Sequence, residues 1–308
     1  MLYKITNLFW CNLRKLGRLP NFLLTSACGF GILDLLGGLV PSGFILLSGR
    51  QPMLIKQSFL FPPKNADRPL HIWLPEDYDT IGEYYPVMYF FDGHNLFRDE
   101  DATYGKSWGM AKFLSQWKKP MILVGVECGH DGQERLSEYL PYPAQGWFGQ
   151  FAPRGWETME WILRDVKPYI DITYRTIPFR ECTAIGGSSM GGIMALYAGA
   201  HFNRWFSKAA CISTAMGFCM GPLMEDLNRC SLSPDTRMYF SWGTRESKQN
   251  DFLTPDRSSQ TYWNHQEVIR LLEQRHVVCK QVCQIDGGHR EADWEKLVPD
   301  FMDFLWMQ

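Results

Sequence analysis

Gly187-Ser188-Ser189-Met190-Gly191, followed by Gly192, sets a serine among small residues in the pattern G-x-S-x-G. A serine hydroxyl is a weak nucleophile until a neighbouring base takes its proton. Small flanking residues permit the tight strand-to-helix turn that lifts such a hydroxyl clear of a sheet. The helix N-terminus behind it favours developing negative charge. A base is available in His289, within Asp286-Gly287-Gly288-His289, where the glycines let a loop present the imidazole. A carboxylate is available in Gly243-Thr244-Arg245-Glu246, with Asp251 and Asp256 as alternatives on the same loop. The chain order serine, acid, histidine is that of nucleophile-elbow hydrolases, in which the acid holds the histidine tautomer. A developing oxyanion needs donors: the Met190 N–H, and a second from Phe91-Asp92-Gly93-His94-Asn95, either Gly93 or His94. The other six of the seven histidines have no comparable setting and read as idle side chains.

These residues need a scaffold of alternating strands and helices. The apolar runs 86–91 (PVMYFF) and 121–128 (MILVGVEC) suit strands buried on both faces of a parallel sheet. Further strands are expected at 54–61 and 70–74, joined through Pro62, Pro63 and Asn65, and at 183–186, 209–213, 238–242 and 281–285. Helices are expected at 156–169, where Met159, Ile162, Leu163 and Val166 form one stripe, at 190–200 and at 262–274. A C-terminal helix should be kinked or restarted at Pro299. The expected fold class is α/β, with a mostly parallel central sheet covered by helices on both faces. Residues 53–308 read as one such domain.

Residues 1–52 differ in character. Lys4, Arg14, Lys15 and Arg18 precede an apolar run from Phe22 to Gly49 whose single charge is Asp34. Asp34 and Pro41 interrupt the run, so a dispensable extension is expected ahead of a membrane anchor at 22–49, and a cleaved signal last. Lys and Arg total 31 against 33 Asp and Glu in 308 residues, a net charge of −2. That balance argues against a dedicated nucleic-acid binder, and 45% hydrophobic residues exclude a disordered chain. Nine cysteines without a Cys-x-x-Cys pair support neither a zinc site nor a disulfide framework and favour a cytoplasmic protein. Trp108, Trp147, Phe148 and Trp263 lie in or beside loops and are candidate walls of a substrate pocket.

Taken together, the motifs resemble the "Putative esterase" family of α/β-hydrolases, which includes enterochelin-esterase-like, feruloyl-esterase-like and S-formylglutathione-hydrolase-like enzymes. The likeness runs through Asp92-Gly93-His94-Asn95-Leu96-Phe97, then Arg135 with Glu138-Tyr139 and Pro141. It continues through Pro168-Tyr169-Ile170-Asp171 and Tyr174-Arg175-Thr176 to the Gly187–Gly192 elbow, then Gly243-Thr244-Arg245-Glu246 and Gly288-His289 with Trp294. The resemblance implies an α/β-hydrolase fold and ester hydrolysis through a covalent acyl-serine, with a small-molecule ester as partner and neither metal nor organic cofactor. Glu246 stands where relatives place Asp, which leaves the acid open. An acyltransferase, or a binding protein on the same fold, remains the alternative.

Overall fold

The computed structural model describes residues 53–249 and 251–308; the stretch 1–52, read above as an extension or anchor, lies outside the described residues. Eight strands form one sheet: β1 (Met53–Phe61), β2 (Ala66–Leu74), β3 (Val87–Phe91), β4 (Ile122–Val126), β5 (Thr183–Ser188), β6 (Lys208–Ile212), β7 (Arg237–Gly243) and β8 (Val278–Gln284). Their order is β1-β2-β4-β3-β5-β6-β7-β8. β1 and β2 pair antiparallel, β2 pairs antiparallel with β4, and β4 through β8 run parallel. This is the α/β-hydrolase architecture expected from the sequence.

The helices that matter for the site are α1 (Met110–Leu114), α2, α3 (Met190–His201), α4 (Met220–Arg229), α5 (Gln260–Gln274) and α6 (Val298–Trp306). Helix α2 runs as Gly155–Trp161, a π-helical turn Ile162–Val166 and Lys167–Thr173. It is longer than its apolar stripe suggested. Helix α4 was not anticipated. At Pro299 the C-terminal helix restarts, with the proline in the first turn of α6, where its missing N–H costs nothing.

The continuous apolar runs form the centre of the sheet because both faces are covered. Along β3, Val87, Tyr89 and Phe91 enter one core cluster while Met88 and Phe90 enter the other. Along β4, Ile122, Val124 and Val126 face the first cluster and Leu123 the second. Each buried large side chain contributes about 1.5–3 kcal/mol. Helix α3, buried from Met190 to Ala200, is apolar on every side and lies against the sheet. Between the parallel strands and helices, the loops at the carboxyl edge carry the candidate site residues.

Candidate active site

Ser189 occupies the turn between β5 and α3 at φ 57° and ψ −116°, a conformation that costs a non-glycine residue about 1–3 kcal/mol. Packing holds it there: the Ser189 N–H donates to Ile212 O at 2.9 Å, and Ala215 N–H donates to Ser189 O at 3.1 Å. The small flanks are obligatory. A Cβ on Gly187 would lie 2.4 Å from Gly191 O, and one on Gly192 would lie 2.7 Å from Ile212 O.

The loops after β7 and β8 bring Glu246 and His289 together. His289 Nδ1 is 2.8 Å from Glu246 Oε2. The other carboxylate oxygen, Oε1, accepts from Gly243 N–H at 2.6 Å and from Ser213 Oγ at 2.7 Å. Ser213 in turn accepts from Trp294 Nε1 at 2.8 Å, and the Trp294 ring meets His289 edge-on at 5.1 Å. With its side chain 11% exposed and these donors on Oε1, the Glu246 carboxylate is held in place with Oε2 against the imidazole. Asp251 and Asp256 do otherwise. Asp251 accepts from Leu253 N–H and Thr254 Oγ, and Asp256 from Ser258 N–H and Oγ, so each caps its own turn.

Ser188, Ser189, His289, His94, Arg135 and Glu291 line one cleft of about 420 Å³. The candidate oxyanion loop follows β3. Asp92 adopts a left-handed conformation at φ 59°, and Gly93–Asn95 form a 3-10 turn. The N–H groups of Asp92, Asn95 and Leu96 donate to Tyr139 Oη, Asp92 O and Gly93 O. Among the described residues, those of Gly93, His94 and Met190 have no protein acceptor. Gly93 packs so closely on Gly125 that a Cβ would meet its carbonyl carbon at 2.5 Å. A two-pronged ion pair fixes the loop: Arg135 Nε and Nη2 donate to the two Asp92 oxygens at 2.7 and 2.8 Å. Asp92 raises the Arg135 pKa against the opposing effect of burial. Glu138, 2% exposed, accepts from Gly129 N–H at 3.0 Å and pairs with buried Arg68, which anchors the loop after β4.

Of the predicted aromatic walls, Trp108 is a core residue. It is 1% exposed and packs on Phe90 and Trp294. Its side chain lies behind the cleft because α1 and α6 close over it. Trp147 and Trp263 are exposed, at 56% and 53%, and neither lines the cleft. Phe148 stacks on Phe218 at 4.0 Å and borders a second cavity, of about 340 Å³, that Glu246 and His289 also line. Glu291 was not anticipated: it lines the cleft at 5% exposure, and burial raises its pKa. Nor were three histidines idle. His71, His94 and His130 gather around Glu127. Their residues lie on β2, after β3 and after β4, strands that the sheet order makes neighbours. His265 is buried as well, its Nδ1 on Thr261 O at 2.7 Å, and burial lowers its pKa.

The seven described cysteines are free thiols, and burial pushes Cys219 and Cys230 up to about 12. Among the described residues no helix is long and apolar enough to cross a membrane.

Known proteins share this architecture. An IroE-like serine hydrolase of Shewanella oneidensis superposes with a TM-score of 0.63 at 18% identity, covering 81% of this chain and 79% of that one. The enterobactin esterase FES of Shigella flexneri, solved in the presence of enterobactin, superposes with a TM-score of 0.62 at 17% identity, covering 83% and 59%. At such identities the likeness establishes the fold. In sequence, Esterase Rv1288 of Mycobacterium tuberculosis is 31% identical over 141 residues, 46% of this chain and 28% of the relative's length. The chain thus spans little more than a quarter of that relative. The family model described as "Putative esterase" matches residues 64–304. The chain belongs to the Putative esterase family, carboxylic ester hydrolases built on the α/β-hydrolase fold.

Proposed function

We propose that the protein hydrolyses small-molecule carboxylic esters through a covalent acyl-serine intermediate. Ser189 is the nucleophile, His289 the general base and then acid, and Glu246 the carboxylate that orients His289. The observation that carries the reading is the 2.8 Å contact between Glu246 Oε2 and His289 Nδ1, made while His289 and Ser189 line one cleft. With Nδ1 engaged, Nε2 is the nitrogen left to serve Ser189.

Ser189 Oγ bonds to the ester carbonyl carbon as its proton passes to His289 Nε2. The carbonyl oxygen becomes an oxyanion held by the N–H groups of Met190 and of Gly93 or His94, each donor worth about 3 kcal/mol. His289 gives the proton to the leaving alkoxide as the C–O bond breaks. Water then attacks the acyl-serine, its proton goes to His289, and collapse returns that proton to Ser189 Oγ. The His289 side chain is 46% exposed, so water reaches it freely, which favours hydrolysis over transfer to another alcohol.

The test is turnover of p-nitrophenyl acetate and butyrate by the full chain beside Ser189→Ala. A fall in kcat/KM of about 10³-fold or more is expected. Turnover that persists in the variant would place the nucleophile elsewhere. Feruloyl and catecholate esters form the next panel, and added acceptor alcohols separate hydrolysis from acyl transfer.

A further inference from the structure

We infer that His94, Glu127 and His130 form a binding site for a divalent transition metal, with Zn²⁺ the best-matched ion, on the wall of the cleft that holds Ser189. One nitrogen each of His94 and His130 and one Glu127 oxygen all lie within 4.8 Å of one another. Two imidazoles and one carboxylate are a ligand set suited to Zn²⁺. Because His94 and His130 line the cleft, the fourth position opens toward it.

A second observation points to a cation. His94 is 7% exposed, and its Nδ1 has no hydrogen-bond partner among the described residues. That nitrogen lies 3.8 Å from Glu127 Oε2, too far for a hydrogen bond. The far nitrogen, Nε2, sits 2.9 Å from Thr103 Oγ. In the tautomer whose Nε2–H donates to Thr103, the Nδ1 lone pair faces a carboxylate oxygen in a buried site. A positive ion between the two resolves that opposition.

The surrounding groups are arranged as a metal site requires. His71, 2% exposed, holds Glu127 Oε1 at 2.5 Å, so that Oε2 is the oxygen turned toward His94 and His130. Thr103 engages the far nitrogen of His94 at 2.9 Å and so orients Nδ1 toward Glu127. In a tetrahedron with bonds of about 2.0–2.1 Å, ligand atoms stand about 3.3 Å apart. The Glu127–His94 distance must close by about 0.5 Å, and His130, now 2.7 Å from Glu127 Oε2, must withdraw slightly. The His130 side chain is 54% exposed and free to do so. A second group, His201 with Asp226 and Cys230, lacks the same argument: His201 Nδ1 already contacts Asp226 at 3.0 Å, and no buried polar atom of the group is without a partner among the described residues.

The inference is independent of ester turnover and is tested by metal binding alone. The full chain, stripped of metal, is titrated with ZnCl₂ by calorimetry. One tight equivalent is expected, weakened at least about tenfold in His130→Ala and in Glu127→Gln and retained in His201→Ala. His130 is exposed, so its variant carries the test even where Glu127→Gln disturbs folding. Co²⁺ loading should give the visible bands of nitrogen and oxygen ligation. No uptake of Zn²⁺, equal affinity in wild type and His130→Ala, or a cobalt–thiolate charge-transfer band would each overturn the assignment.

Discussion

Two arms of the carboxyl edge meet at the cleft, and they are built differently. One arm, formed after β5, β7 and β8, carries Ser189, Glu246 and His289. Its central feature is a local backbone device, the strained elbow, whose small neighbours are written in consecutive residues. The other arm, from β2, β3 and β4, carries Asp92 with Arg135 and the group His71, His94, Glu127 and His130. Apart from His130, three residues on from Glu127, its contacts are long-range: Arg135 is 43 residues from Asp92, and His71 is 56 from Glu127. Strand order makes those contacts. Placing β4 between β2 and β3 sets His71 opposite Gly125 and brings both neighbouring loops to Glu127. Turn chemistry can be read from a window of six residues, whereas ion-pair partners depend on which strand lies beside which.

The largest effect should come from the first arm. Glu246→Gln keeps the shape but removes the charge that holds His289, and kcat should fall about 10³–10⁴-fold with KM little changed. A loss below tenfold in steady-state kinetics would mean that His289 works without an acid, and the arm would reduce to serine and histidine. Arg135→Met sharpens the contrast, because its cost should fall on stability. Asp92, its side chain 6% exposed, would be left unpaired, for a loss of about 3 kcal/mol in urea unfolding. Unchanged stability would show that the pair is not what holds the loop after β3.

A smaller change is expected from Ser213→Ala. It removes one donor from Glu246 and leaves Trp294 Nε1 without its acceptor. The expected loss is about 1–2 kcal/mol of transition-state stabilisation, about tenfold in kcat/KM. The smallest effect concerns Asp293, one turn beyond His289. Arg290, Lys296 and the Gly288 N–H hold its carboxyl down at about 2, against the ordinary 3.8, although burial opposes them. The unfolded chain therefore binds the extra proton first. The stabilisation is complete above the unfolded value of 3.8 and is lost as pH falls through about 2. Asp293→Asn should remove about 1–2 kcal/mol of that acid-limb dependence in unfolding measured across the range; an unaltered slope would contradict it.

The sequence by itself determined the sheet centre, the elbow and the family. Residues 86–91 and 121–128 are apolar at every position because both faces are buried, and that pattern is visible without coordinates. Gly187, Gly191 and Gly192 are visible for the same reason: the turn excludes a Cβ. The sequence put Glu246 ahead of Asp251 and Asp256, carboxylates near it in the chain, but only the tertiary structure decided which of them meets His289. Two of them satisfy their own turns, and one faces the imidazole. It also moved Trp108 into the core, because an aromatic residue beside a loop has the same composition whether it lines a cleft or fills the space beneath one. The histidines around Glu127 were illegible for the deepest reason. His130 is three residues from Glu127, but the approach of His71 and His94 is a property of strand order and register, which arise from packing the whole sheet and leave no mark on any single stretch of chain.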